Sequence, residues 1–150
     1  MDSLGPTPVT WVLLVIGWYI LVVMLGAQSL MAFRPQSDAA RRIIIGKGQD
    51  WRDDTHYRSA FGIAIADLVV WLPILLAGSI GVALGEPWGY GLWAASGAIS
   101  VYASVVLWFL EREYVYPVVG PLAYYTYIWG IFLYWGAAVT GYSVLRLATA

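Results

Sequence analysis

Apolar residues fall into four long runs, approximately Val9 to Phe33, Ala60 to Leu84, Tyr90 to Leu110 and Val118 to Leu145. Each run is long enough to cross about 30 Å of hydrocarbon at about 1.5 Å per helical residue. The pattern therefore predicts one all-α transmembrane domain over residues 1–150, an integral membrane four-helix bundle. The first run continues past 20 apolar residues, and its flank MDSLGPTP carries Asp2 and no basic residue, so it reads as a retained span and not a cleaved signal peptide.

The polar connections between the runs differ in length, and length limits what each can do. Gly85-Glu86-Pro87-Trp88-Gly89 is so short that spans two and three are expected to form an antiparallel hairpin. Glu111 to Pro117 is also short and places spans three and four side by side. Only residues 34–59 have room for structure of their own. There Ser37 to Ile45 has a helix-capping start and a stop at Gly46, so a short interfacial helix is expected, with Arg41 and Arg42 within reach of lipid phosphates. The following stretch, Asp50 to Arg58, reads as a solvated helix start, since one histidine and two carboxylates make a poor metal site.

Composition agrees with the pattern and adds exclusions. The chain is 61% hydrophobic and only 11% charged, less than half the charge of ordinary soluble domains, so its solvent is lipid. It has no cysteine and a single histidine, His56, which removes thiol catalysis, disulfides, iron–sulfur clusters and two-histidine haem ligation. No cofactor and no metal are expected. Six of the eight basic residues lie in residues 34–59, one is Arg112 and one is Arg146. With four spans this puts seven on one side against one, so both termini are expected outside and the long loop in the cytoplasm. Seven Arg against one Lys, in a chain rich in Ala, Gly and Val, points to a bacterial plasma membrane.

Asp67 requires an explanation because it lies about seven residues, or roughly 10 Å, inside span two. A carboxylate at that depth costs several kcal/mol unless it is paired, hydrated or protonated. At about 100° per residue, Trp71, Ile74, Gly78, Gly81 and Gly85 share its face within about 40°. The Ala77-xxx-Gly81-xxx-Gly85 register is a close-packing seam, so Asp67 is expected to face protein or a crevice and not lipid. Counting depth on the other spans brings Gln28, Ser104, Trp108, Tyr124, Tyr125 and Tyr127 to its level. Together with Asp67 and Trp71 they make up the expected ligand-binding set, a polar pocket with aromatic walls, while Gly78, Gly81 and Gly85 serve helix packing. Pro73 is expected to kink span two beside it. Ser96, Ser100 and Ser104 recur every four residues along span three, where packing is the commoner use of such hydroxyls.

Function classes divide on that pocket. A binding protein would hold a hydrophobic or cationic small molecule, or a partner helix, beside Asp67. An accessory subunit would dock its small-residue and aromatic faces on a larger membrane complex. A proton-coupled transporter would need a homo-oligomer, since four helices enclose little volume. The partners to expect are the bilayer, a hydrophobic ligand and such an assembly, with no nucleic acid. Enzyme readings have less support, because G-x-S-x-G, H-E-x-x-H, G-x-G-x-x-G and the phosphate-loop pattern are all absent. The stretch Asp67-Leu68-Val69-Val70-Trp71-Leu72-Pro73 resembles the second helix of the emopamil-binding and sigma-2-receptor type four-helix proteins. The resemblance covers one helix of four and implies a sterol-like ligand near Asp67. Where that group would have an acid on span one, the nearest polar residues here are Gln28 and Ser29.

Overall fold

A computed structural model describes residues 4–111 and 129–150, and every element in them is helical. Helix α1 spans Pro8–Phe33, α2 Asp38–Ile44, α3 Asp54–Ala66, α4 Leu72–Ala83, α5 Pro87–Glu111 and α6 Gly130–Ala148. A π-helical turn, Asp67–Trp71, joins α3 to α4 without a break. Four helical stretches are long and apolar enough to cross a membrane: Pro8–Phe33, Asp54–Ala83, Pro87–Leu110 and Gly130–Ala148. The protein is a small all-α integral membrane bundle.

Local chemistry sets the helix ends. Thr7 opens α1 with a reciprocal capping box: its hydroxyl accepts from Thr10 N at 3.3 Å while Thr7 N donates to the Thr10 hydroxyl at 2.9 Å. Ser37 caps α2, accepting from Ala40 N at 3.1 Å, and the chain leaves that helix through Gly46 at φ 134. The second span begins earlier than the hydropathy run because Asp53 caps α3, its carboxylate accepting from His56 N at 2.8 Å. At the end of α4, Glu86 N donates to Gly81 O and Gly85 N to Val82 O, with Gly85 at φ 75. This pair of bonds is the left-handed glycine cap that ends many helices.

Two glycine seams bring helices into backbone contact. On α4, a Cβ added at Gly81 would stand 2.6 Å from Gly89 Cα, and one at Gly78 would stand 3.1 Å from the Trp93 backbone nitrogen. As residue numbers rise on α4 their partners on α5 fall. Gly85, expected in the same seam, instead makes the turn, and its nearest neighbours are Gly5 Cα and Leu4 O at 3.4 and 3.5 Å. The second seam joins α5 to α6, where a Cβ at Gly97 would meet Gly136 O at 2.6 Å and one at Gly136 would meet Gly97 O at 2.7 Å.

Tryptophan indoles bolt the helices across these seams. Trp71 Nε1 donates to Ser96 O at 3.0 Å, Trp93 Nε1 to Ser79 Oγ at 3.1 Å, and Trp135 Nε1 to Leu13 O at 2.9 Å. Trp71 and Trp135 use the second lone pair of a helix carbonyl and Trp93 a serine hydroxyl, so each indole N–H is satisfied without breaking a helix. These rings join Leu14, Ile20, Leu75, Tyr90 and Val139 in the main core. Ser100 and Ser104 turn their hydroxyls to carbonyls, to Phe132 O and Ser100 O, each at 2.8 Å.

The two ends of the bundle are built differently. At one, residues 4–7, the α4–α5 turn and the end of α6 meet: Tyr90 OH donates to Leu4 O and Arg146 Nη2 to Gly5 O, at 3.0 and 2.8 Å. At the other, α2 folds back so that Ala40 packs in one buried cluster with Met31 of α1 and Ala64 of α3. We refer to these as the terminal end and the loop end.

Candidate intramembrane site

Asp67 is the first residue of the π turn and is 9% exposed. Its position near the middle of Asp54–Ala83 makes it the carboxylate carried deepest into the apolar helices among the described residues. Gln28 Nε2, on α1, donates to Asp67 Oδ2 at 2.7 Å. Gln28 is itself 5% exposed. Among the described residues this is the one hydrogen bond the carboxylate accepts, and its donor is a neutral amide. The bond ties α1 to the second span and leaves a charge that Gln28 does not cancel.

The π turn sets the direction of that side chain. Pro73 has no N–H to offer Val69 O, so the helix needs another register just before it. Leu72 N instead donates back to Asp67 O, a five-residue step that inserts one extra residue into the helical count. Beyond the turn the buried residues are Trp71, Leu72, Leu75, Gly78, Ser79, Gly81 and Val82, while Ile74 is half-buried. The face drawn through Asp67 thus keeps Trp71, Gly78 and Gly81 and is widened on one side by Leu72, Leu75, Ser79 and Val82.

The remaining residues of the expected pocket divide into two groups. Trp71 lies one π turn from Asp67; it is 5% exposed, has its indole N–H on Ser96 O, and sits 6.4 Å from the Phe132 ring. Phe132 in turn packs on Trp129 at 4.8 Å. Ser104 and Trp108 line a groove of about 280 Å³ with Val105, Phe109, Trp129, Leu133 and Tyr134. Asp67, Gln28 and Trp71 do not contribute to its walls, and Ser104 donates to its own helix. Trp71, Phe132 and Trp129 form a continuous run of ring contacts, and Trp129 is itself one wall of the groove. Tyr124, Tyr125 and Tyr127 lie outside the described residues.

The loop end carries the exposed charges. Arg41 bridges Asp38 at 2.6 Å and Asp50 at 3.3 Å, and Arg52 bridges Asp53 at 3.0 Å. The His56 backbone N–H, and then the Arg52 guanidinium, hold the Asp53 carboxyl below its usual range. The Trp51 N–H and then Arg41 do the same for Asp50. His56 is 3% exposed, accepts from Arg52 N on Nδ1 at 3.3 Å, and meets the Trp51 ring edge-on at 5.3 Å. Among the described residues no three His, Asp or Glu side chains converge as a metal-ligand set.

Sequence reasoning missed the terminal-end clamp. The Tyr142 hydroxyl lies 2.8 Å from Thr7 Oγ1 and 2.5 Å from Thr10 Oγ1. Arg146 reaches the same hydroxyl at 3.5 Å and stands over the Tyr90 and Tyr142 rings at 5.5 and 5.9 Å. Thr-Pro-Val-Thr at a helix start signals the cap, but nothing local links it to Tyr142, 132 positions beyond Thr10. Compared with known protein families, curated proteins and solved structures, the chain matches none of them.

Proposed function

We propose that this small membrane protein binds a hydrophobic small molecule, a cation or a donor-bearing partner helix at an intramembrane site anchored by Asp67. One observation supports the reading above the others: among the described residues, a buried carboxylate within a membrane helix accepts a single bond, from a neutral amide. A carboxylate can accept from several donors, and a charge kept at this depth is expensive unless something complements it. A ligand or helix that brings a donor or a positive charge provides that complement. The groove at Ser104 and Trp108, which ring contacts through Trp129 and Phe132 connect to Trp71, offers apolar walls for the rest of such a molecule. We place the protein in a bacterial plasma membrane, on its seven Arg against one Lys in a chain rich in Ala, Gly and Val, with the terminal end outward, on the six basic residues of positions 34–59.

The test is native mass spectrometry of protein extracted in mild detergent, comparing wild type with Asp67→Asn. Retention of a small molecule by wild type and its loss from Asp67→Asn is expected. Recovery of both proteins free of small molecules, bound in fixed ratio to a larger membrane complex, would replace this reading with the accessory-subunit one.

A further inference from the structure

The structure sorts five of the six basic residues of positions 34–59 into two sets. Arg41 and Arg52 are committed to Asp38, Asp50 and Asp53. Arg34, Lys47 and Arg58 are exposed and have no carboxylate within 4.0 Å among the described residues. Of the two arginines the sequence offered to lipid, Arg41 is thus neutralised internally, and the uncommitted charge lies elsewhere. At the terminal end the contrast is complete, since Arg146 is occupied by Gly5 O, the Tyr142 hydroxyl and two aromatic faces.

Position decides what the free set faces. Arg34 directly follows the last residue of α1, Phe33, which is 82% exposed, and Arg58 lies in the opening turns of the second span. On α2, Ile43 is 46% exposed while Ala40 is fully buried against the bundle, so the short helix lies on the protein with an apolar side chain outward. Exposed apolar groups beside unpaired cations, at the level where membrane helices emerge, match the boundary between acyl chains and headgroups. We infer that Arg34, Lys47 and Arg58 form a binding surface for anionic phospholipid headgroups at the loop end, independent of Asp67.

The test reconstitutes the full chain in nanodiscs of mixed phosphatidylglycerol and phosphatidylcholine and reads the lipids it retains by native mass spectrometry. Wild type should enrich phosphatidylglycerol, and each charge removed in the series Arg34→Gln, Lys47→Gln, Arg58→Gln should lower that enrichment about 5-fold. Arg146→Gln should leave it unchanged. A variant with Arg34→Lys, Lys47→Arg and Arg58→Lys keeps the charges and should restore the enrichment, which separates loss of charge from loss of fold. Equal retention of both lipids by wild type, or undiminished enrichment in the triple Gln variant, would overturn the inference. So would inorganic phosphate displacing the lipid at millimolar concentration, because the site would then recognise a free anion and not a membrane surface.

Discussion

Asp67 and Arg146 are both charged side chains on apolar helices, and the bundle treats them in opposite ways. Arg146 lies at the edge of the terminal end, where a carbonyl, a hydroxyl and two ring faces surround its guanidinium. Asp67 lies well inside the second span, where one amide meets its carboxylate. The difference teaches how to separate a structural charge from a functional one. A charge that serves the fold is saturated by the fold, whereas spare acceptor capacity on a buried carboxylate is what the proposed ligand or partner helix would use.

The largest effect is expected where the comparison is broken outright. Gln28→Leu removes the one donor Asp67 has among the described residues and leaves the carboxylate buried without it, which should cost about 3 kcal/mol. The double variant Gln28→Leu with Asp67→Leu should recover most of that loss, because no charge remains to be complemented. Thermal unfolding in detergent, read as a double-mutant cycle, measures both. Equal stability of Gln28→Leu and wild type would mean that Asp67 is solvated or held by other groups.

Gly81→Leu disturbs the frame that carries both charges. The added side chain enters a space where even a Cβ stands 2.6 Å from Gly89 Cα, and overpacking of about 2 kcal/mol is expected. An unchanged melting profile would show that α4 and α5 do not meet there. At the saturated charge the effect should be smaller. Tyr142→Phe takes one hydroxyl from a cluster in which Thr7, Thr10 and Arg146 keep other partners, and about 1 kcal/mol is expected in the same assay.

The smallest effect belongs to the exposed cap, Asp53. Its carboxyl is held below the ordinary value of 3.8, so its stabilising contribution is present above that pH and is lost as pH falls through the lowered value. Asp53→Asn keeps a capping oxygen without the titration. The protection of amides 54–58, taken relative to their intrinsic exchange rates at each pH, should therefore fall in acid for wild type and change less in the variant.

Much of this arrangement was legible in the sequence because membrane helices obey simple geometry. Counting back from Arg34 brought Gln28 to the depth of Asp67, and the two side chains are bonded. The spacing of Gly78 and Gly81 marked a face on which α5 packs. The same count did not contain the π turn at Asp67–Trp71, which adds a residue to the 3.6-residue period. Pro73 was the visible sign of irregularity there, but it could not say whether the helix would bend or widen. Gly97 and Gly136 escaped notice for another reason. Each is one small residue in a long apolar run, and their pairing depends on how α5 and α6 are rotated about their axes. The pocket drawn around Asp67 joined residues by depth alone, and depth does not show that Ser104 and Trp108 line a groove to whose walls Asp67, Gln28 and Trp71 do not contribute.

The central claim is that Asp67 is an anchor with capacity to spare, and binding of a lipophilic cation tests it most directly. Tetraphenylphosphonium would be titrated into nanodiscs holding wild type, Asp67→Asn or Arg146→Gln, with tryptophan fluorescence as the readout. Saturable binding by wild type and Arg146→Gln, weakened at least about 10-fold in Asp67→Asn, is the predicted result, corresponding to about 1.4 kcal/mol of lost interaction. Identical titrations for wild type and Asp67→Asn, in variants that remain folded, would contradict it and leave Asp67 as a helix-register contact to Gln28.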